Sequence, residues 1–219
     1  MTRARFRFTT AADGNLSILQ DDADSLATRR RAVVDLPWTW LRQVHGADVV
    51  VVDTPGGGSG LAADAAVTAV PGAALAVQTA DCAPVALLSP EGVVGVAHAG
   101  WRGLDHGVLP AAVAAMRRLG AGEVRAVLGP CIHAECYEFG ADDLDRLADR
   151  FGPGVRGTTA AGAPALDVPA AVRASLAKVG VEQVDDVDVC TACDTGYFSH
   201  RARADAGRQS AVAWLEPPA

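Results

Sequence analysis

The strongest chemical signal in the chain comes from three residues: His45 in RQVHG, Cys82 in TADC and His98 in GVAHAGWRG. Imidazole nitrogen and thiolate sulfur are favoured ligands of zinc-type ions. Three such ligands leave a fourth position open for water or substrate, which distinguishes a catalytic site from a closed structural one. An ion held this way lowers the pKa of its water to about 7 and polarises substrate heteroatoms. The spacing alone says little, since the three lie 37 and 16 positions apart and match no short metal motif. The same residues also allow a metal-free reading, with Cys82 as nucleophile and His98 as its base. Taken singly, a His beside Gly is ordinarily a solvent-facing turn residue and a Cys after a strand is ordinarily core. Only their convergence makes a site.

The elements around them must supply that convergence. WTWLRQV and DVVVVD read as short strands on either side of His45, AALAVQT and PVALLS as strands on either side of Asp81 and Cys82, and VVGVAH as a strand ending at His98. A hairpin about the turn SPEG sets Leu88 opposite Val93 and Ala83 opposite His98, which brings Cys82 and His98 to one end of one sheet. His45 is expected at another hairpin tip. The Val, Leu and Ala runs are nearly continuous, as in strands covered on both faces, so helices or a second sheet should pack over them.

Further along, Pro110 and Gly120 bracket a helix, EVRAVLG is a strand, and a helix covers residues 141–150 with Asp142 and Asp143 in its first turn. Residues 152–165 read as a polar Gly-rich loop. Asp167 then caps a helix with Pro169 near its start, VDDVDVC is a strand and GRQSAVAWL closes the chain. Strands, then helices, then strands indicate a layered α/β domain, one domain over 1–219, rather than regular βαβ alternation. CTAC (Cys190 to Cys193), with Cys131 and Cys136 as a further pair, has the spacing of a zinc knuckle but lacks its turn glycines. A thioredoxin-like motif would need a helix after the first Cys, where DTGYFSH reads as loop.

Composition narrows the classes. Half the residues are hydrophobic and 21% charged, which places the chain among folded proteins. The net charge of −7 is spread along the sequence and argues against nucleic acid or an anionic membrane as partner. No stretch approaches the roughly 20 apolar residues of a membrane span and no signal peptide is evident, so the expectation is a cytoplasmic protein whose five Cys stay reduced.

The segments LRQVHGADVV, TADCAPVAL, GVAHAGWRGL, GPCI with CYEFG, LDVPAAVRASL and GYFSHRARADAGRQSAVAWL, in this order, resemble the YfiH family, also called the laccase-domain or multicopper polyphenol oxidase family. The likeness runs from about Trp38 to Leu215. It implies an α/β (α+β) layered sandwich, mixed sheets inside and helices outside, with His45, Cys82 and His98 binding Zn²⁺ or, in the older attribution, Cu²⁺. It further implies phosphorolysis of adenosine, inosine and methylthioadenosine, with deamination of adenosine; the expected partners are a nucleoside and phosphate. A multicopper oxidase needs many His ligands, whereas this chain has five His in all, some already taken by the one site.

Within that reading Asp81 or a neighbouring carboxylate would move protons as water attacks the purine carbon bearing the amino group. Arg42, Arg102, Arg201 and Arg208 flank the shared motifs and are candidates for the phosphate, with Gln43 for a purine edge. Each has a plainer reading: a turn cap for Asp81, an ion pair for Arg102, strand packing for Arg208 and a backbone hydrogen bond for Gln43. Trp101 is pocket wall or core. His106, His133 and His200 depart from the family pattern, as does the shortened N-terminal segment, so pocket residues from that region cannot be carried over. Two other roles stay open: a peptidoglycan-editing hydrolase, and a binding protein in which a metal only fixes the loops.

Overall fold

The computed structural model describes residues 3–19 and 22–216. The first half of the chain contains β1 (Ala4–Phe8), α1 (Ala23–Val33), β2 (Trp38–Trp40), β3 (Val49–Val52), β4 (Ala65–Thr68), β5 (Ala74–Thr79), β6 (Ala83–Ser89) and β7 (Val93–Ala99). Then follow α2 (Trp101–His106), α3 (Val108–Arg118), β8 (Arg125–Leu128), α4 (Ala141–Phe151), β9 (Arg156–Thr158), β10 (Pro164–Leu166), α5 (Val168–Ala177), β11 (Val184–Asp186), α6 (His200–Arg203) and β12 (Gln209–Leu215).

Two mixed sheets form the middle of the molecule. One has the order β1-β12-β5-β2 and the other β11-β8-β6-β7-β4-β3. Alternation along the strands explains why they stack. Leu75 and Val77 of β5 meet Ala86, Leu88, Val94 and Val96 of β6 and β7 between the sheets. The intervening residues point the other way: Val85 and Leu87 toward Met116 of α3 and Val172 and Leu176 of α5, and Ala74 and Ala76 toward Trp38 and the end of α1. The result is four layers, helix, sheet, sheet, helices. This is the architecture that the sequence indicated, and β5, β6 and β7 are buried along their whole length.

Helix boundaries follow local chemistry. The Asp167 carboxylate accepts from Ala170 N at 2.8 Å and caps α5. Arg117 and Arg118 close α3, where cations suit the carbonyl end. Residues 152–165, expected as plain loop, contain β9 and most of β10, which pair as a hairpin whose Ala165 and Leu166 are buried. Its strands are too short to show a period.

Three expectations about connections are corrected. β2 and β3 do not pair, because β2 joins the four-stranded sheet beside β5 and β3 joins the six-stranded sheet beside β4. His45 therefore lies on a crossover between sheets rather than at a hairpin tip. The same holds for Asp81 and Cys82, since β5 and β6 lie in different sheets. The β6–β7 hairpin exists, but its register is Leu88 to Val94 and Pro84 to His98. The turn has three residues, 90–92, with Gly92 at φ +81°, the left-handed position of a three-residue hairpin.

Candidate metal centre

That one-residue difference in register matters because side chains alternate faces. With Pro84 opposite His98, the position two residues before Pro84 falls on the His98 side of the sheet, and that position is Cys82. The β6–β7 hairpin thus brings sulfur and imidazole together, and the other crossover supplies His45.

His45 adopts φ 58°, a left-handed conformation that costs a non-glycine residue about 1 kcal/mol. Asp64 offsets the cost. Its carboxylate, fully buried just before β4, accepts from the backbone N–H of Val44 (3.1 Å), His45 (3.0 Å) and Gly46 (2.7 Å). The same carboxylate accepts from His98 Nδ1 at 2.8 Å, and His98 N donates to the Asp64 carbonyl at 2.7 Å. With Nδ1 carrying the proton, Nε2 keeps its lone pair for a metal, the usual device for orienting a ligating imidazole. Asp64 was not singled out from the sequence. The available signal was a lone acid in an apolar run, LAADAAV, since a carboxylate there must find donors.

The three ligand atoms of His45, Cys82 and His98 lie within 4.8 Å of one another. Cys82 Sγ is 3.9 Å from His45 Nε2, and the two imidazole rings meet edge to face at 4.8 Å. A tetrahedral ion with bonds of about 2.0 Å to N and 2.3 Å to S separates such atoms by about 3.5 Å, so the donors need move only slightly. Gly100 keeps the space clear: a Cβ there would stand 2.8 Å from His45 Cδ2 and 3.0 Å from Cys82 Sγ. These residues can hold a metal ion. Without one, burial pushes the Cys82 thiol up, but the charge of His98 and the hydrogen bond from His45 outweigh it and bring the pKa down to about 6. Burial likewise opposes a charged His98, yet Cys82 and Asp64 raise its pKa to about 9. The metal-free site is a thiolate–imidazolium pair at neutral pH.

Two recesses open on the site. A small one of about 160 Å³ is walled by Trp101, Ile132, Tyr137 and Val168, with Asp81 and Arg201 at its edge. A larger one of about 680 Å³ runs past Ser17, Arg42, Gln43, His45, Gln78 and Arg208. Ala80, Cys82 and His200 border both. The segment around Ser17 belongs to the altered N-terminal stretch, and it does reach the cleft.

The other residues singled out from sequence are placed unevenly. Asp81 (φ 94°) is buried, and its two oxygens accept from Thr191 Oγ1 and Arg201 N, both at 2.7 Å. It ties two segments to the Cys82 loop. Gln43 is a clamp rather than a free reader: its amide exchanges hydrogen bonds with the backbone of Gln78 at 2.7 and 2.8 Å. Arg42 is exposed in the larger recess and makes no ion pair among the described residues. The Arg201 guanidinium lies 4.9 Å from the Tyr137 ring. Arg102 forms no ion pair among the described residues, stacks on Trp101 at 4.2 Å, and lines neither recess. The Arg208 guanidinium is spent on the carbonyls of Asp205, Ala206 and Gly207. His106 is exposed, with Nδ1 3.1 Å from the His45 carbonyl, and His133 stands 3.8 Å from Glu135.

Comparison with known proteins defines the class. A family model described as multi-copper polyphenol oxidoreductase laccase matches residues 9–216, so the likeness begins well before Trp38. The chain belongs to this family, the YfiH family to which its motifs point. It is 44% identical over 195 residues to a purine nucleoside phosphorylase of Streptomyces coelicolor, covering 87% of this chain and 80% of that protein. Among solved structures it is similar to Neisseria meningitidis protein NMB0706, with a TM-score of 0.86, 31% identity and coverage of 98% and 95% of the two chains. It is equally similar in fold to a Bacillus licheniformis hypothetical protein YfiH, with a TM-score of 0.86, 27% identity and coverage of 97% and 93%. No helix among the described residues is long and apolar enough to cross a membrane.

Proposed function

We propose that this chain is a zinc-dependent purine nucleoside phosphorylase acting on adenosine, inosine and methylthioadenosine, and that it also deaminates adenosine. The observation that carries the reading is the meeting of His45, Cys82 and His98 at the junction of two recesses. The names of its relatives point to the same reaction class. A divalent ion held there would supply Lewis-acid activation of water or of a substrate heteroatom.

The chain's own residues do the rest. Trp101, Ile132, Tyr137 and Val168 offer flat apolar walls for the base, and burial, only partly opposed by Arg201, lifts the Tyr137 phenol to about 12 so that it remains a donor. Arg42 and Arg201 supply positive donors for phosphate. Asp81, on the edge of the smaller recess, would move a proton there by exchanging one of its donors, Thr191 Oγ1 or Arg201 N, for the substrate; Asp64 borders neither recess and holds His45 and His98. Five free thiols suit a reducing cytoplasm. Copper-dependent oxidation of phenols is the less supported reading, because neither group of potential ligands among the described residues gathers the many imidazoles that several coppers require.

The test is chromatography of adenosine incubated with zinc-loaded protein, with and without phosphate. Adenine with ribose phosphate establishes phosphorolysis, and inosine establishes deamination. An unchanged nucleoside in both vessels would refute the proposal. One observation favours a second reading: the thiolate–imidazolium pair suits a hydrolase, for instance one editing peptidoglycan precursors. Alkylation separates the two, because a nucleophilic Cys82 reacts at once and a metal-bound one only after a chelator is added.

A further inference from the structure

A second group of sulfurs lies on the far side of the smaller recess. Cys136 ends a 3₁₀ turn over Ala134–Cys136, just before Tyr137, and Cys190 and Cys193 flank the turn after β11. Cys131, which the sequence grouped with them, is instead buried core, paired through its backbone with Cys190. We propose that Cys136, Cys190, Cys193 and Glu135 form a second metal site, closed and structural, that takes a zinc-class divalent ion.

The geometry supports a cation rather than a disulfide. One ligand atom from each of the four residues lies within 4.8 Å of all the others. Cys136 Sγ and Cys193 Sγ are 3.3 Å apart, and Cys193 Sγ is 3.9 Å from Glu135 Oε1. Sulfurs around a tetrahedral zinc, with bonds of about 2.3 Å, stand about 3.7 Å apart, whereas a disulfide needs about 2.05 Å. The backbone N–H of His133 donates to Cys190 Sγ at 3.4 Å, the kind of contact that a metal-bound sulfur accepts. Three thiols and a carboxylate make a donor set that soft and borderline ions prefer over magnesium or calcium.

The ion would pin two chain segments that both touch the first site: Cys136 precedes Tyr137, and Cys190 precedes Thr191, whose hydroxyl holds Asp81 beside Cys82.

The test counts metal and thiols on intact protein produced with added zinc under reducing conditions. Elemental analysis should find about two ions per chain in the wild type and about one in both Cys82→Ser and the double variant Cys136→Ser/Cys193→Ser. One ion in the wild type and none in Cys82→Ser would overturn the proposal. Should the double variant not fold, cobalt(II) titration of the wild type decides: the three-sulfur site adds about three times the near-ultraviolet thiolate absorbance of the one-sulfur site. A titration that stops after one equivalent refutes it. So does a loss of two titratable thiols with no second metal, which would make Cys136 and Cys193 a redox pair. None of these readouts depends on nucleoside turnover.

Discussion

Asp64 accepts four N–H donors, three from the backbone around His45 and one from His98, and holds two of the three ligands through one carboxylate. Although burial pushes the Asp64 carboxyl up, His98 and the backbone donors keep it below the ordinary carboxylate range. Replacing Asp64 with Asn leaves the shape but gives the imidazole a poorer orienting partner. Zinc affinity, read by competition with a chelator, should fall about 10- to 100-fold in Asp64→Asn. Titration offers another check on the metal-free protein. The depressed Cys82 pKa contributes stability that is present above its ordinary value and is lost as pH falls through about 6; the raised His98 pKa contributes stability that is present below its ordinary value and is lost as pH rises through about 9. Chelator-treated wild type should therefore exceed Cys82→Ala in melting temperature most clearly between those limits, and iodoacetamide should alkylate Cys82 with a midpoint near pH 6. His45, Cys82 and His98 were legible from sequence as candidates only together, through the strand ends and shared motifs that carry them, because each residue type taken singly has commoner uses at a turn or after a strand. Asp64 was not, because a carboxylate's partners depend on which segments meet.

At the scale of elements, both ligand loops are crossovers between sheets, and the backbone is bent there at His45 and Asp81. Hydrophobic pattern finds β5, β6 and β7 easily, since burial on both faces leaves unbroken apolar runs. It cannot assign neighbouring strands to one sheet or two, and so a hairpin was expected where the chain changes layer. The β6–β7 register turned on whether the turn held two residues or three, which Gly92 decided by its left-handed φ. Gly100 belongs to this scale as well, because it lets α2 begin directly against the site. Gly100→Ala puts a methyl group into contact with both His45 and Cys82, so calorimetry should show the zinc equivalent bound at His45, Cys82 and His98 lost while the circular dichroism spectrum stays that of the wild type. A variant that binds as many tight equivalents as the wild type would mean that no ion sits between these three side chains.

For the whole molecule, a metal bound at this centre joins segments contributed by both sheets, so it should stabilise the fold as a ligand of the native state. Zinc present at a thousandfold excess over its dissociation constant adds about 4 kcal/mol, and the melting temperature should climb with zinc concentration and collapse with chelator. A melting curve indifferent to zinc would contradict the assignment. The layered architecture was readable from the order of elements and the continuous apolar strands. The contribution of residues 17–19 to the larger recess was not, because that stretch departs from the pattern that made the rest recognisable.

The two recesses share only Ala80, Cys82 and His200 among their lining residues, so each offers a largely separate wall to a bound molecule. A two-substrate enzyme built this way imposes no queue. Either reactant can then enter first, so a dead-end analogue of each reactant should be competitive toward that reactant and noncompetitive toward the other, whereas an uncompetitive pattern for either analogue would reveal an obligatory order.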